Sequence, residues 1–460
     1  MLDYSGRAGR SGPVAAGERV GEMTTASGQE ASRRSLVRST ALVGTALMAG
    51  NLAGYLLAII GSHRLRPADY GLFGAMLATL LVGGIPSLAL QAVIARRTAA
   101  ERLAPHNALA DGIRTGLITV AVGVVAWPGL TVFLHVNRHG LAVLAVVIGL
   151  LPLCIVASVQ GHLQGAERFG RLAVVVTIAG LGRLLGGVLP LAFGGGTAGV
   201  MTGIAVGASM SALVAIRLLP ATGPRPLEPT GGEHAEPLVA QGPELLTAIV
   251  SMGALLLLSS LDLLLARHVL AAGLGGHYTA GNVVAKVAFW LPQAVPLAAL
   301  PRLSRHHDRA RALLDAAILT AVIAVISVGV TAVAGGFLVR ATFGARYSSI
   351  GGIAWLFAVQ GSALAGVQLL IFHDIAVRRR RVVPVVLAAA AIEAIVILAG
   401  RPSTPRGVIE VAATTAVGLL AVTAANHVRR PADVAEPDQW AASSQLLPTP
   451  TETSSGTSSA

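Results

Sequence analysis

The sequence predicts an all-α integral membrane protein of about twelve transmembrane helices in two six-helix bundles, on three observations. From about Ser39 to about His427 the chain is a succession of apolar stretches, each near the roughly 20 residues a helix needs to cross a bilayer core of about 30 Å. Hydrophobic residues make up 54% of the chain and charged residues 12%, against about 25% charge in ordinary soluble domains, and mean hydropathy is +0.71. The longest internal break, Pro220 to Pro243, holds Pro224, Pro226, Pro229, Pro237, Gly231 and Gly232 and parts the apolar stretches six and six. The first two observations exclude a water-soluble fold, and the third sets the domain organisation.

Residues 1–38 carry Arg7, Arg10, Arg19, Arg33, Arg34 and Arg38 among many Gly and Ser. They lack the apolar core of a cleavable signal peptide and are expected to be a disordered cytoplasmic segment. The first bundle is expected over 39–220, with spans near 39–60, 70–95, 112–134, 141–160, 172–193 and 197–219. A cytoplasmic linker follows at 221–243. The second bundle is expected over 244–428, with spans near 245–267, 278–300, 312–339, 350–372, 382–400 and 407–428. The tail 429–460 is rich in Ser, Thr and Pro, too polar to pack, and is expected to be disordered.

Arginine placement gives sidedness. The N-terminal segment, Arg96, Arg97 and Arg102, Arg168 and Arg171, Arg302 to Arg311, Arg378 to Arg381, and Arg429 and Arg430 all fall on one side, which the positive-inside bias assigns to the cytoplasm. Both termini are therefore expected in the cytoplasm, with the chain a multi-pass protein of the plasma membrane. The formal charge of +12 is thereby explained by short loops, with no clustered basic and aromatic surface for nucleic acid. One cysteine, Cys154 in an apolar stretch, excludes an intramolecular disulfide framework and any multi-cysteine metal site.

The halves read as parallel repeats. A helix running to His63-Arg64, a short turn to Tyr70-Gly71, and a helix containing Pro86 that closes on Arg96 recur as a helix to Arg267-His268, a turn to Tyr278, and a helix containing Pro292 and Pro296 that closes on Arg302. Gln160-Gly161 and Gln360-Gly361 recur in the fourth and tenth spans. An even number of spans per half gives both copies the same orientation.

Several stretches carry a family likeness. Asn51-Leu-Ala-Gly-Tyr55, Arg64-Leu-Arg-Pro-Ala-Asp-Tyr-Gly71, Leu90-Gln-Ala-Val-Ile-Ala-Arg96 and Leu163-Gln-Gly-Ala-Glu-Arg-Phe169 in the first half, with Leu261-Asp262, Gly276-His-Tyr278 and Pro301-Arg-Leu-Ser304 in the second, resemble polysaccharide-biosynthesis proteins of the oligosaccharide-flippase (Wzx) type. These belong to the multidrug/oligosaccharidyl-lipid/polysaccharide (MOP) exporter superfamily, with the multidrug and toxin extrusion (MATE) transporters and the lipid II flippase. The resemblance covers roughly 39–430 and implies a MATE-like fold. It further implies that a lipid-linked oligosaccharide is carried to the outer leaflet by alternating access around a central cavity, for cell-surface polysaccharide biosynthesis. Membrane lipids, a polysaccharide polymerase and glycosyltransferases are the partners it implies; no cofactor is expected.

Independently of that likeness, ionisable side chains inside spans mark the place to seek a substrate path, because charge at the bilayer centre costs at least about 2.5–3.5 kcal/mol. Lys286 is the only lysine in the chain, and a lysine can change protonation on burial where arginine cannot. It is a candidate phosphate-binding cation, with a structural pairing to Asp262 as the competing explanation. Arg183 suits bidentate contact with a diphosphate. Arg183 lies twelve residues beyond Arg171 and Glu393 twelve beyond Arg381, so in a repeat the two would face one another near mid-membrane, as substrate and coupling groups or as a fixed ion pair. Asp262 and Glu393 are thus the candidates for coupling or ion pairing. Asn51 and Tyr55 share one helical face and are further substrate-binding candidates, though such groups also join helices. Arg64 and Arg66 could meet a phosphate at the outer mouth or remain solvated. Arg378 to Arg381 reads as a headgroup-facing cluster, and His373-Asp374 as a titratable pair or as helix-end packing.

Absences narrow the alternatives. There is no Gly-x-x-x-x-Gly-Lys-Ser/Thr loop, no His-Glu-x-x-His metal motif and no Gly-x-Ser-x-Gly elbow. A non-enzymatic transporter without a metal is the expectation. A drug or cation antiporter is the alternative. A polytopic glycosyltransferase is disfavoured, because the first outer loop offers only Asp69 beside two arginines.

Overall fold

A computed structural model describes residues 44–429 except 47, 102, 137–139, 221–241, 294, 296–308 and 377–381. The expected N-terminal segment, the expected tail apart from Arg429, which ends the last helix, nearly all of the expected linker and the run Arg378 to Arg381 lie outside the described residues. The described residues form helices and contain no strand: an all-α membrane protein.

The helices of the first half are α1 (Gly44–Arg64), α2 (Pro67–Gly83), α3 (Ile85–Glu101), α4 (Pro105–Phe133), α5 (Gly140–Gly165), α6 (Phe169–Ala192) and α7 (Thr197–Leu218). Those of the second are α8 (Gly242–Val269), α9 (Ala272–Trp290), α10 (Arg309–Phe343), α11 (Ala354–Ala376), α12 (Val382–Gly400) and α13 (Pro405–Arg429). The second expected span, near 70–95, is the pair α2 and α3, one apolar stretch over Pro67–Ala100 broken at Gly84. The cause is Pro86, which has no N–H for the preceding turn. Ser87 repairs part of the break by donating to the Gly84 carbonyl at 2.6 Å. Among the described residues ten helical stretches are long and apolar enough to cross a membrane. The twelve-span reading rests also on α8 and α9, which carry Asp262 and Lys286.

Burial repeats between the halves. In α4 and α10 only 6% and 11% of the most apolar window is buried, against 67% in α5 and 61% in the Ala345–Asp374 stretch ending in α11. α4 and α10 are therefore rim helices presenting residues such as Val125 and Val333 outward, as lipid requires, while α5 and α11 are central posts. The packing repeats too: α5 contacts α3, α4 and α7, and α11 contacts α9, α10 and α13. The recurring Gln-Gly pairs explain how. A Cβ on Gly161 would come within 2.5 Å of the Gln91 carbonyl oxygen, and one on Gly361 would strike the Ala285 carbonyl oxygen. At matching depths each post lies directly on the backbone of its neighbour, as small residues allow in membranes.

The halves meet through α2 on α9 and through α2 and α3 on α8. The α2–α9 seam is made of glycine: a Cβ on Gly71 would lie 2.7 Å from the Gly276 nitrogen, and one on Gly276 would overlap the Pro67 carbonyl oxygen. At the same end Arg267 Nε donates to the Leu134 carbonyl at 3.2 Å, His268 Nδ1 to the Phe133 carbonyl at 2.9 Å and Arg346 to the Leu65 carbonyl at 3.3 Å. Tyr70 and Tyr347 pack ring to ring beside them. This end, where α1 turns into α2 and α8 into α9, is sealed; it lies opposite the arginine-rich end.

Candidate functional site

Between the halves lies a cavity of about 180 Å³ whose walls include Asn51 and Tyr55 of α1, Arg183 of α6, Ser260 of α8, and Asn282 and Lys286 of α9. A neighbouring cavity of about 300 Å³ inside the first half shares Gly50, Asn51, Leu81 and Arg183 with it. Four of the five sequence-derived substrate-binding residues therefore come together. The fifth, Arg64, is exposed at the end of α1 and is not on these walls.

Arg183 reaches the cavity because of the glycines around it. Gly182 and Gly186 lie against Gly207 and Gly203 of α7, while Gly180 and Gly187 meet α1 at Gly50 and Leu57. The arginine sits between these two seams, beside Gly50 and Gly54, where a Cβ would meet open space. Among the described residues its buried Nε has no hydrogen-bond partner, and a buried donor left unmet costs about 1–3 kcal/mol. A guanidinium so placed is suited to an oxyanion.

Lys286 is held by serines, with Asp262 within electrostatic reach. Its ammonium donates to the Ser259 carbonyl and lies 3.0 Å from the hydroxyls of both Ser259 and Ser260. Tyr55 donates across the halves to the Lys286 carbonyl at 3.2 Å. Asp262 instead accepts from Tyr278 at 2.7 Å and from Asn282 at 3.2 Å. Lys286 and Asp262 thus stand within electrostatic reach of one another without a direct ion-pair contact, each in its own polar cluster. The reason is register: α9 begins at Ala272, not near 278, so Lys286 lies fourteen residues in, about 21 Å at 1.5 Å per residue. Asp262 is seven residues from the end of α8 at Val269, only about 10 Å deep.

Glu393, 1% exposed, does not pair with Arg183. It stands within electrostatic reach of Asp262, so the second half holds two buried carboxylates near Tyr278, behind the cavity wall. Sequence reasoning passed over Ser259, Ser260, Thr279 and Asn282. Thr279, Asn282 and Lys286 recur at helical spacing on one face of α9, which is the signal that points to them.

Neither a protein family model nor a curated protein matches this sequence. Solved structures do. The lipid II flippase MurJ in an inward closed conformation superposes with a TM-score of 0.64 at 12% identity, covering 84% of this chain and 87% of that one. An inward-facing multidrug resistance MATE family transporter of the MOP superfamily gives 0.61 at 14% identity, over 84% and 94% of the two chains. The chain shares the fold of these two structures. A eukaryotic MATE transporter agrees, with a TM-score of 0.57 at 14% identity over 85% of this chain and 95% of that one. The chain is thus similar in architecture to a lipid flippase and to MATE transporters alike.

Proposed function

We propose that this protein is a flippase, not an enzyme, that carries a polyprenyl-diphosphate-linked oligosaccharide from the inner to the outer leaflet of the plasma membrane. The observation carrying this reading is that Arg183 and Lys286, one from each half, face one cavity. Two cations held in place by glycine seams and serine hydroxyls suit an anionic diphosphate. The sealed end corresponds to the outer face and the arginine-rich end to the cytoplasm, so the headgroup would enter from inside and leave when the α2–α9 seam parts.

The test is mass spectrometry of lipid-linked sugars, with an impermeant probe of leaflet position, in cells with and without the protein. Cytoplasmic-leaflet accumulation on depletion, reversed by the intact chain and not by Arg183→Ala or Lys286→Ala, is the expected result. Normal transport in both inserted variants would refute the phosphate-binding role.

A second reading, a drug or cation antiporter, is supported by the buried Asp262 and Glu393 pair, which offers a place for a small coupling cation. It predicts an unchanged lipid-linked pool together with energy-dependent efflux of a lipophilic cation.

A further inference from the structure

At the arginine-rich end of the second half, the last turns of α11 and α13 bring His373, Asp374 and His427 together. One ligand atom from each lies within 4.8 Å of the other two. Transport through the central cavity makes no use of this cluster, and the sequence reads His373-Asp374 as a titratable pair or as helix-end packing.

The hydrogen bonds decide what the cluster holds. His427 Nδ1 is 2.8 Å from the Thr423 carbonyl oxygen. A carbonyl only accepts, so Nδ1 carries the hydrogen. His427 Nε2 then lies 3.0 Å from Asp374 Oδ1, an imidazole lone pair aimed at a carboxylate lone pair. That contact is attractive only with a cation between or on the two atoms: a proton or a metal ion. The other carboxylate oxygen, Oδ2, accepts the Val382 N–H at 3.3 Å, which turns Oδ1 into the cluster. Two of the three groups are thus oriented from behind by backbone, as metal ligands characteristically are. The spacing also fits. Two ligands about 2.1 Å from a tetrahedral ion stand about 3.4 Å apart, and the His427–Asp374 contact is within a few tenths of an ångström of that. The His373 ring is next to the His427 ring, with centroids 5.2 Å apart, and its ligand atom lies within 4.8 Å of the other two. Two helix C-termini converge here, and their dipoles favour a cation.

We propose that His373, Asp374 and His427 form a binding site for a divalent transition metal ion of the zinc class, with water completing the coordination. Imidazole and carboxylate donors without thiolate suit such an ion. Bound there, it clamps α11 to α13 at the mouth of the second half.

The test uses the full chain, purified through a tag without histidines, treated with chelator and titrated with Zn²⁺ alone in a calorimeter. One saturable ion per chain is expected, with affinity falling at least about tenfold in Asp374→Asn and in His427→Ala. If His427→Ala elutes aggregated, the nearly isosteric Asp374→Asn decides alone. Zn²⁺ affinity in the variants equal to that of the parent, or no saturable binding by the parent, would overturn the proposal and leave an imidazolium–carboxylate pair in its place. Because the readout is metal affinity, its failure leaves the flippase reading untouched.

Discussion

Asp262 and Arg64 make opposite predictions from similar sequence settings. Asp262 is fully buried and accepts from Tyr278 and Asn282, so Asp262→Ala strands two buried donors. We expect a loss of about 1–3 kcal/mol, measured as a lowered unfolding midpoint in detergent. Arg64 is exposed, and Arg64→Ala should change stability by less than about 0.5 kcal/mol and leave transport near the parent's. That Arg183 and Lys286 border a cavity was legible in the sequence, because a charge in an apolar span needs polar company. Their actual partners were not. A six-residue difference in where α9 starts carries Lys286 past Asp262 to Ser259 and Ser260, and a serine inside a leucine run gives no warning that its hydroxyl holds a cation.

Packing of α5 on α3 and of α11 on α9 depends on one glycine in each half. Gly161→Val and Gly361→Val should each force the central post off its neighbour's backbone, costing about 1–3 kcal/mol. Thermal unfolding checks this, with Gly170→Val, where a Cβ meets open space, as the neutral comparison. Similar losses in both halves are expected because the two contacts are copies. The Gln-Gly recurrence made this repeated contact legible beforehand. The break between α2 and α3 was legible only as Pro86, since nothing in the apolar pattern tells a broken span from a continuous one.

The two halves meet at one end through glycine backbone, flanked by the Tyr70–Tyr347 ring contact and by Arg267, His268 and Arg346. Gly71, Gly275 and Gly276 look like loop formers in the sequence, which is why the seam between the halves could not be read there. A cycle that moves cargo outward has to part this seam. Bridging it with a short bifunctional reagent between cysteines at Ser62 and Tyr347, in a Cys154→Ser background, should abolish lipid-linked sugar transport, and cleaving the bridge should restore it. Cys154 is buried, so its replacement leaves a quiet background for such labelling. The chain also has one side-chain amine, and it lies in the cavity wall. Among side chains, acylating reagents will therefore report from a single internal point, and the rate at which Lys286 is modified becomes a clock for how often water reaches the interior from either side.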